Sequence, residues 1–281
     1  MMKFAEPVTI QEDEHEFAYL KSLIKKRMGF NCDDYKQPHL KRRLAVRLRA
    51  TQSRSYKEYA GILMKDENEP PRLKETLTIN VTEFFRNPET YEAFRREALP
   101  LLVKAREGTK IIKAWSAGCS NGEELCSIAI MLLEFLGASA RKYNIQLLGT
   151  DIDDESLEKA KSGIYQPKIL EKMSKERLDR FFIYKDACYQ VKDEIRGRVN
   201  FKRHDMISDP PLRGFDIIFC RNVTIYFDQK LQEKLYLNFY NALNDNGFFV
   251  MGKTESLVGP ADGLFKPVDP RERIYQKGRK L

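Results

Sequence analysis

The sequence predicts an α/β fold: a mostly parallel, doubly wound sheet, preceded by helices and interrupted by a small antiparallel insertion. Strand-like and helix-like segments alternate from Lys110 onward, which is typical of parallel sheets with crossover helices. In residues 12 to about 78, apolar residues recur at the spacing of helices instead. One stretch, Arg180–Phe201, has short strand-like pieces and turn signals without a crossover helix, which indicates the insertion.

The N-terminal segment is predicted to be helical and basic. Apolar residues from Phe17 to Ile24 recur at helical spacing, and Gly29 is predicted to end that helix. A later helix, His39–Ala50, carries three leucines on one stripe. Its remaining face is strongly basic, through Lys41, Arg42, Arg43, Arg47 and Arg49.

Prolines and apolar runs mark the remaining elements. Pro70 and Pro71 are predicted to break the chain, and Pro88 to occupy the first position of another helix. Five strands are then predicted: KIIKAWSA, IQLLGTD, RVNFKRHD, FDIIFCRN and GFFVMG. FDIIFCRN is almost continuously apolar, as in strands buried in a parallel sheet, and the tail GLFKPVDPRERIYQK predicts a terminal hairpin.

Composition restricts the class of protein. The chain has 281 residues and a formal net charge of +8, which favours an anionic partner, either protein or nucleic acid. Five cysteines without a C-x-x-C pair and three histidines argue against a disulfide framework or a metal site. No apolar run approaches the roughly 20 residues of a membrane span, and the acidic N-terminus lacks a signal-peptide core. We expect a soluble cytoplasmic protein.

The stretch AGCSNGEE, Ala117–Glu124, raises the main functional question, because it contains G-x-S-x-G. That pattern can present a nucleophilic serine or can form a glycine loop that a ligand approaches. A hydrolase is disfavoured, since Ser120 follows the first strong strand and a triad with Asp151 and His204 would be poorly placed. A phosphate-binding P-loop is disfavoured because the G-K-[ST] ending is missing.

Acidic and amide side chains at the predicted strand ends favour S-adenosylmethionine as the ligand. Two acids directly after the glycine loop would repel a phosphate but suit a sulfonium, an ammonium or hydroxyls. The carboxylate of Asp151 could accept hydrogen bonds from both ribose hydroxyls, and that of Asp205 from the adenine amino group. The side-chain amide of Asn222 could contact the methionine part of the ligand. Asp151 could also cap the following helix, and Asp205 could be a plain turn residue.

Five motifs together resemble the CheR-type chemoreceptor glutamate methyltransferases, in that family's order and over nearly the whole chain. They are LTINVTEFFRNPE, WSAGCSNGEELCSIAI, GTDIDDESLEKAKSGIY, FDIIFCRNVTIYFD and GKTESL. The resemblance implies an N-terminal helical receptor-binding domain (1–78), a linker and helix that contribute to the cofactor site (79–109), and an S-adenosylmethionine-dependent methyltransferase domain (110–281). A β-subdomain is implied at about 180–201.

The resemblance also implies roles for individual residues. Beside the resemblance, the chemistry of the side chains suggests that the Arg86 fork orients the substrate carboxylate, and that Tyr226 either hydrogen-bonds the same carboxylate or packs in the core. The basic residues of His39–Ala50 either steer an acidic receptor surface to the active site or form a solvated helix face. Whether Glu123 or Glu124 contacts the cofactor stays open. The cofactor-binding residues implied are Asn80, Thr82, Arg86, Gly118, Glu124, Asp151, Asp205, Met206, Asn222 and Val223.

The predicted reaction is an in-line displacement, in which a glutamate carboxylate of a chemoreceptor cytoplasmic helix attacks the methyl carbon and S-adenosylhomocysteine leaves. The protein is expected to be a monomer that neither binds nucleic acid nor inserts into the membrane. A nucleic-acid methyltransferase is the alternative, but its D/N-P-P-Y/F motif is absent after the fourth predicted strand, where the sequence is CRNV.

The sequence departs from the family pattern at a few positions. Asn121 stands where threonine is usual, Leu125-Cys126 replace a usual proline-tyrosine pair, and Asp205 stands where asparagine is common. Some family members dock a receptor tail peptide on the β-subdomain. Here the connection YKDACYQ contains no glycine, which puts that activity in doubt.

Overall fold

The computed structural model describes residues 13–78 and 82–278. The described residues form two compact units. Residues 13–78 and 226–228 form the helical unit, and residues 82–225 and 229–278 form the sheet unit. The candidate cofactor residue Asn80 lies outside the described residues.

The helical unit is built on four helices whose ends follow local rules. Asp13 caps the first helix by accepting from the N–H groups of His15 and Glu16, and Gly29 ends it at φ 68°. Pro70 and Pro71 do not simply break the chain, because they lie within the first turn of a helix. The four helices are α1 (Glu14–Met28), α2 (Gln37–Ala50), α3 (Tyr56–Lys65) and α4 (Glu69–Leu77).

Buried apolar stripes hold these helices together. The predicted leucine stripe of α2 is buried, with Leu40 3% exposed and Leu44 and Leu48 fully buried. Phe17 of α1 packs against Tyr56 of α3 with ring centroids 5.1 Å apart. Burying a Leu or Phe side chain contributes about 1.5–3 kcal/mol, so these stripes stabilise the unit substantially.

The helical unit includes a second, short piece of chain, Tyr226–Asp228. Phe227 forms an isolated antiparallel bridge with Tyr35, and its ring meets the Tyr35 ring edge-on at 5.2 Å. The N–H of Lys36 donates to the carbonyl oxygen of Tyr226 at 2.8 Å. The helical unit is therefore made from two stretches that are far apart in sequence.

The sheet unit contains a seven-stranded sheet. Its order is β6-β2-β1-β7-β8-β10-β9, in which the first five strands are parallel and the last two antiparallel. All six residues of β7 are buried, as its apolar sequence predicts. The strands are β1 (Ile111–Ala117), β2 (Asn144–Asp151), β6 (Val199–Arg203), β7 (Phe215–Cys220), β8 (Leu243–Met251), β9 (Phe265–Asp269) and β10 (Ile274–Lys277).

Helices flank this sheet and connect its strands. The helix that follows β1 has a long apolar middle part and is packed into the core. The run before β1 contains a single π turn, Phe94–Ala98, between two α-helical pieces. The helices are α5 (Pro88–Ala93), α6 (Leu99–Ala105), α7 (Glu123–Leu136), α8 (Asp154–Ser162), α9 (Lys175–Phe181), α10 (Asp193–Arg196) and α11 (Gln229–Ala242).

The predicted antiparallel insertion is a three-stranded sheet of order β3-β5-β4. Its strands are β3 (Ile164–Tyr165), β4 (Phe182–Lys185) and β5 (Cys188–Val191). The β4–β5 turn uses Asp186 and Ala187 at φ 51° and 58°, a conformation that usually takes glycine or asparagine. The sequence did not predict β3, which contributes only two residues.

These architectures confirm the predicted fold class: an α/β sheet, an all-helical N-terminal part and a small antiparallel sheet. Among the described residues, no helix is both long and apolar enough to cross a membrane.

Candidate active site

The glycine loop joins β1 to α7 and is tied to the end of β2. The N–H groups of Gly118 and Cys119 both donate to the carbonyl oxygen of Thr150, at 2.8 and 2.9 Å. Gly118 has φ 78°, and a Cβ there would lie 2.7 Å from a methyl carbon of Val223. The loop thus folds tightly against the segment after β7, and this packing alone requires glycine at position 118.

Gly122 is crowded by the core of the protein. A Cβ at Gly122 would lie 2.8 Å from the Phe201 ring and 2.9 Å from Ala160, at φ 90°. Clearance for a ligand is therefore not needed to explain this glycine.

Asp151 links the end of β2 to the glycine loop. Its carboxylate accepts hydrogen bonds from the N–H groups of Ser120 at 2.9 Å and Asp153 at 3.0 Å. Burial raises the pKa of Asp151, and these backbone hydrogen bonds oppose the rise. Asp153 occupies the N-cap position of α8, so Asp151 is not the capping residue.

Ser120 has no group that could activate it as a nucleophile. Its Oγ is buried and has no hydrogen-bond partner among the residues that the structure describes. A serine nucleophile needs an adjacent base within hydrogen-bond reach. The G-x-S-x-G pattern here forms the tight loop between β1 and α7, in which Ser120 has φ 48° and its N–H donates to Asp151.

The two acids at the start of α7 have different surroundings. Glu124 accepts from the Ser116 hydroxyl at 2.8 Å and lies 3.5 Å from an Nη1 of Arg221. Burial raises the pKa of Glu124, while Arg221 opposes this, with a smaller contribution from Arg86. Glu123 is 1% exposed, and burial raises its pKa to about 7. Hydrogen bonds from its own backbone N–H and from the side chains of Thr82 and Asn121 oppose this rise.

Arg86 lies in a segment with unusual backbone geometry. Its neighbours Phe85 and Asn87 have φ 51° and 58°, values that residues other than glycine rarely adopt. The N–H of Phe85 donates to the Ser127 hydroxyl of α7 at 2.9 Å. The Arg221 guanidinium donates to the carbonyl oxygen of Arg86 at 2.7 Å and to the side-chain oxygen of Asn87 at 2.9 Å. Strained backbone held by several contacts is common at functional sites.

Asn222 and Val223 lie just after β7, separated from it by Arg221. Asn222 has φ 60°, and its side-chain oxygen is buried without a hydrogen-bond partner among the described residues. The carboxylate of Glu255 accepts from the N–H groups of both residues, at 2.9 and 3.1 Å. Sequence reasoning assigned no role to Glu255 or Arg221, although both lie within the quoted motifs GKTESL and FDIIFCRNVTIYFD.

The carboxylate of Asp205 forms hydrogen bonds within its own loop. Its two carboxylate oxygens accept from the N–H of Ile207 at 2.9 Å and from the hydroxyl of Ser208 at 2.7 Å. This is the turn arrangement that was the simpler interpretation of Asp205. Met206 is half-buried beside it. Contact of either residue with adenine stays a prediction.

The basic residues of α2 fall into two groups. Arg47 makes two hydrogen bonds to the carboxylate of Glu69, at 2.9 and 2.7 Å, and Glu69 also accepts from Tyr59 at 2.8 Å. Lys41 pairs with Glu14 at 2.7 Å. The other basic residues of the face are exposed or half-buried: Arg42, Arg43 and Arg49.

Tyr226 belongs to the helical unit. Its ring meets the ring of His39 edge-on, with centroids 5.5 Å apart. Its role toward a substrate carboxylate stays a prediction.

The polar groups around the glycine loop fit S-adenosylmethionine. Ser120 Oγ, Asn222 Oδ1 and Arg221 Nε are buried polar atoms that find no hydrogen-bond partner among the described residues. Buried polar groups are normally paired, so these atoms mark a place where a polar ligand would complete the site. Glu124 and Asp151 add carboxylates, which suit hydroxyls and cationic groups and disfavour a phosphate.

Two family models match the chain. The model of the CheR methyltransferase all-alpha domain matches residues 15–78, and that of the CheR methyltransferase SAM binding domain matches residues 80–274. The chemotaxis protein methyltransferase of Listeria monocytogenes is 32% identical over 253 residues, or 90% of this chain and 94% of that protein. Its namesake in Escherichia coli is 32% identical over 87% of this chain and 85% of that protein.

These comparisons confirm the predicted family, fold, enzyme class and cofactor. They support the predicted methylation of chemoreceptors, and nothing among them favours a nucleic-acid methyltransferase. The chain belongs to the CheR methyltransferase family and is an S-adenosylmethionine-dependent methyltransferase.

Proposed function

We propose that this methyltransferase transfers methyl groups to glutamate side chains on the cytoplasmic helices of chemoreceptors, and that it acts in the cytoplasm. The observation that carries the proposal is the clamped segment around Arg86. Arg221 and Ser127 hold this segment from two sides, close to the two acids that begin α7. A guanidinium carried on a backbone that is held in this way is suited to orienting a carboxylate substrate.

Residues at the ends of three parallel strands would hold the cofactor. Asp151 is the last residue of β2, the glycine loop follows β1, and Asn222 with Val223 comes shortly after β7. Ligands of open α/β sheets lie beyond these carboxyl ends, which supports the assignment. When bound, S-adenosylmethionine supplies a methyl carbon made electrophilic by its sulfonium.

Glu124 is the better candidate of the two acids for cofactor contact. It is partly exposed, with 15% of its side chain accessible, and Arg221 opposes the rise in its pKa that burial causes. Glu123 is 1% exposed and has a pKa raised to about 7 by burial, so about half of it is neutral at pH 7. The more accessible of the two carboxylates is the one that an ammonium or a sulfonium of the cofactor can approach.

The substrate carboxylate needs orientation more than activation. Free glutamate has a pKa of about 4.3, so the nucleophile is ionised near neutral pH and no general base is required. Arg86 would hold one oxygen and leave the other free to react. Positioning of this kind, with water excluded, lowers the barrier without a proton transfer.

Recognition of the receptor would fall to the exposed part of the α2 face. The glutamates that accept the methyl groups are ionised before the reaction and make the substrate surface acidic, so exposed arginines can attract it. Arg42 and Arg49 are exposed, whereas Arg47 is paired with buried Glu69. We therefore propose Arg42, Arg43 and Arg49 as the receptor-binding members of the predicted set, with Arg47 mainly structural.

The proposal is tested with radiolabelled S-adenosylmethionine and membranes that contain chemoreceptors. We expect label in the receptor that is released by mild base, since carboxyl methyl esters hydrolyse and N-methyl groups do not. A receptor whose methylation-site glutamates are replaced by alanine is the matched control and should stay unlabelled. Base-stable label, or label in added nucleic acid and none in the receptor, would overturn the proposal.

A further inference from the structure

Glu255 is a buried carboxylate that binds the loop after β7 at several points. It is 3% exposed. Its Oε2 accepts from the N–H groups of Gly252 at 2.6 Å and Asn222 at 2.9 Å. Its Oε1 accepts from the N–H groups of Val223 at 3.1 Å and Thr224 at 2.8 Å, and from the Thr224 hydroxyl at 2.7 Å.

Both oxygens of this carboxylate therefore receive only donors. Three consecutive backbone N–H groups, from Asn222 to Thr224, point at one side chain 31 to 33 residues further along the chain. An ionised carboxylate is acceptor-only and meets this requirement, while neutral side chains of the same size do not. Hydrogen bonds from N–H groups to a charged acceptor are also the stronger kind.

The bonds hold the left-handed backbone of Asn222 in place. Asn222 has φ 60°, and its N–H is one of the donors to Glu255. Asparagine adopts this conformation more readily than most residues other than glycine, and the bonds to Glu255 select it over the extended alternative. The adjoining residue Val223 lies where a Cβ on Gly118 would touch it, so a shift of this loop would also change the packing of the glycine loop.

Gly252 lies in close contact with both Glu255 and Asn222. A Cβ on this residue would lie 2.7 Å from Glu255 Oε2 and 2.8 Å from the backbone nitrogen of Asn222. Neither atom can move away without breaking the bonds described above. The end of β8 thus requires glycine so that the carboxylate can reach the loop.

We infer that Glu255 is a positioning residue for cofactor binding, whose carboxylate holds the Asn222–Thr224 backbone in the conformation that presents Asn222 and Val223. The inference rests on the proposed assignment of those two residues to the cofactor site.

The main test is the variant Glu255→Gln. The amide NH₂ must face either the N–H groups of Gly252 and Asn222 or those of Val223 and Thr224, so donor meets donor in both orientations. We expect the affinity for S-adenosylhomocysteine, measured by calorimetry, to fall at least tenfold. We also expect amide hydrogen exchange in the peptide that contains residues 222–224 to speed up at least tenfold.

A matched control is Asp216→Asn. Asp216 is another buried carboxylate of the same sheet, 2% exposed, which accepts from Arg106, Lys113 and Asn244 at the opposite end of β7. This variant should lose stability in urea unfolding but keep its affinity for S-adenosylhomocysteine within twofold. Equal loss of affinity in both variants would mean that Glu255 acts only through global stability, and the inference would fail.

Two further variants keep the test decisive. Gly252→Ala perturbs the same bonds without altering the carboxylate, and it should weaken binding at least threefold even if Glu255→Gln does not fold. Asn222→Gly keeps the backbone conformation and removes the proposed contact. If Asn222→Gly weakens binding tenfold while folded Glu255→Gln and Gly252→Ala bind normally, the site stands and the role of Glu255 is refuted. If all three bind normally, the assignment of this loop to the cofactor fails, and the inference with it.

Discussion

Arg221 donates a hydrogen bond of 2.7 Å to the backbone carbonyl oxygen of Arg86, 135 residues earlier in the chain. Only 1% of the Arg221 side chain is exposed, and its Nη1 lies 3.5 Å from Glu124. One buried cation thus connects the segment of Arg86 with the first turn of α7. Replacing Arg221 with Met would leave Glu124 without this cation.

We expect Arg221→Met to lower the free energy of unfolding by about 3 kcal/mol and methyl transfer by at least tenfold, because removing one partner of a buried ion pair is costly. Urea unfolding and radiolabel incorporation measure the two effects. Arg95, whose partner Glu92 is about half exposed, offers the control. Arg95→Met should change stability by no more than about 0.5 kcal/mol. A folded Arg221→Met enzyme with the normal rate would contradict this prediction.

Arg86→Ala should reduce methyl transfer by roughly 100-fold, the usual cost of losing a positioned charged donor. Circular dichroism should stay unchanged, since the segment is also held by Ser127 and Arg221. Arg86→Lys should recover little activity, because an ammonium cannot replace a fork-shaped donor. The exposed Arg96, paired with Glu97, provides a control whose replacement by Ala should leave the rate unchanged. Near-normal turnover by Arg86→Ala would refute the assignment.

Glu123 should make stability depend on pH. Its pKa in the folded protein is raised from 4.5 to about 7, mainly by burial. The folded protein therefore holds this proton more tightly than the unfolded chain, and stability falls as pH rises from about 4.5 to 7. At 1.36 kcal/mol per pKa unit, the advantage of Glu123→Gln over the wild type should grow by about 3 kcal/mol across this range. Urea unfolding at pH 5 and pH 8 measures it, and a pH-independent difference would rule it out.

The ion pair between Arg47 and Glu69 should stabilise the helical unit. Glu69 is almost fully buried, and its carboxylate also accepts from Tyr59. Arg47→Met would leave a buried, unpaired carboxylate, and we expect a loss of 3–5 kcal/mol in the free energy of unfolding. Exposed Arg49 on the same helix is the control, since Arg49→Met should change stability by less than about 0.5 kcal/mol. Equal thermal midpoints for the two variants would show that Arg47 is not structural.

Charge reversal at Arg42 and Arg49 should weaken receptor binding. The double variant Arg42→Glu/Arg49→Glu is expected to bind receptor membranes roughly tenfold less tightly at low salt, with a smaller difference at high salt. Affinity for S-adenosylhomocysteine should not change. Arg141→Glu/Lys142→Glu makes the same change in net charge at exposed residues of the sheet unit. If it weakens receptor binding equally, net charge is responsible rather than the α2 face.

Local signals in the sequence were sufficient to predict most of the strands and helices of the fold. The five parallel strands were predicted because each is an apolar run bounded by turn residues, and Gly29 and Pro88 mark helix ends by their own backbone preferences. The two-residue strand β3 is too short to give a periodic signal. The prolines of α4 were interpreted as a break because proline in the first turn of a helix resembles a breaker when its neighbours are unknown.

The candidate site was predictable only in part. Side chains at strand ends follow from topology, so Asp151 and Asn222 could be singled out. The contacts of Arg221 with Arg86 and of Glu255 with Asn222 span 135 and 33 residues, and no local pattern encodes such pairings. Burial likewise separates Glu123 from Glu124 and Arg47 from Arg49, although each pair reads as similar charged residues in sequence.

The short segment Tyr226–Asp228 has a consequence for how these proteins diverge and can be recombined. The backbone of Tyr35 forms a β-bridge with Phe227, and the N–H of Lys36 donates to the carbonyl oxygen of Tyr226. These partners lie about 190 residues further along the chain. A chimera could take residues 13–78 from one homologue and the rest of the chain from another. Its Tyr35 and Lys36 positions would then come from one protein and the residues at 226 and 227 from a different one, which have not evolved together. Functional exchange between relatives should therefore require residues 226–228 to travel with the N-terminal helices, and substitutions at Tyr35 and Phe227 should covary across the family.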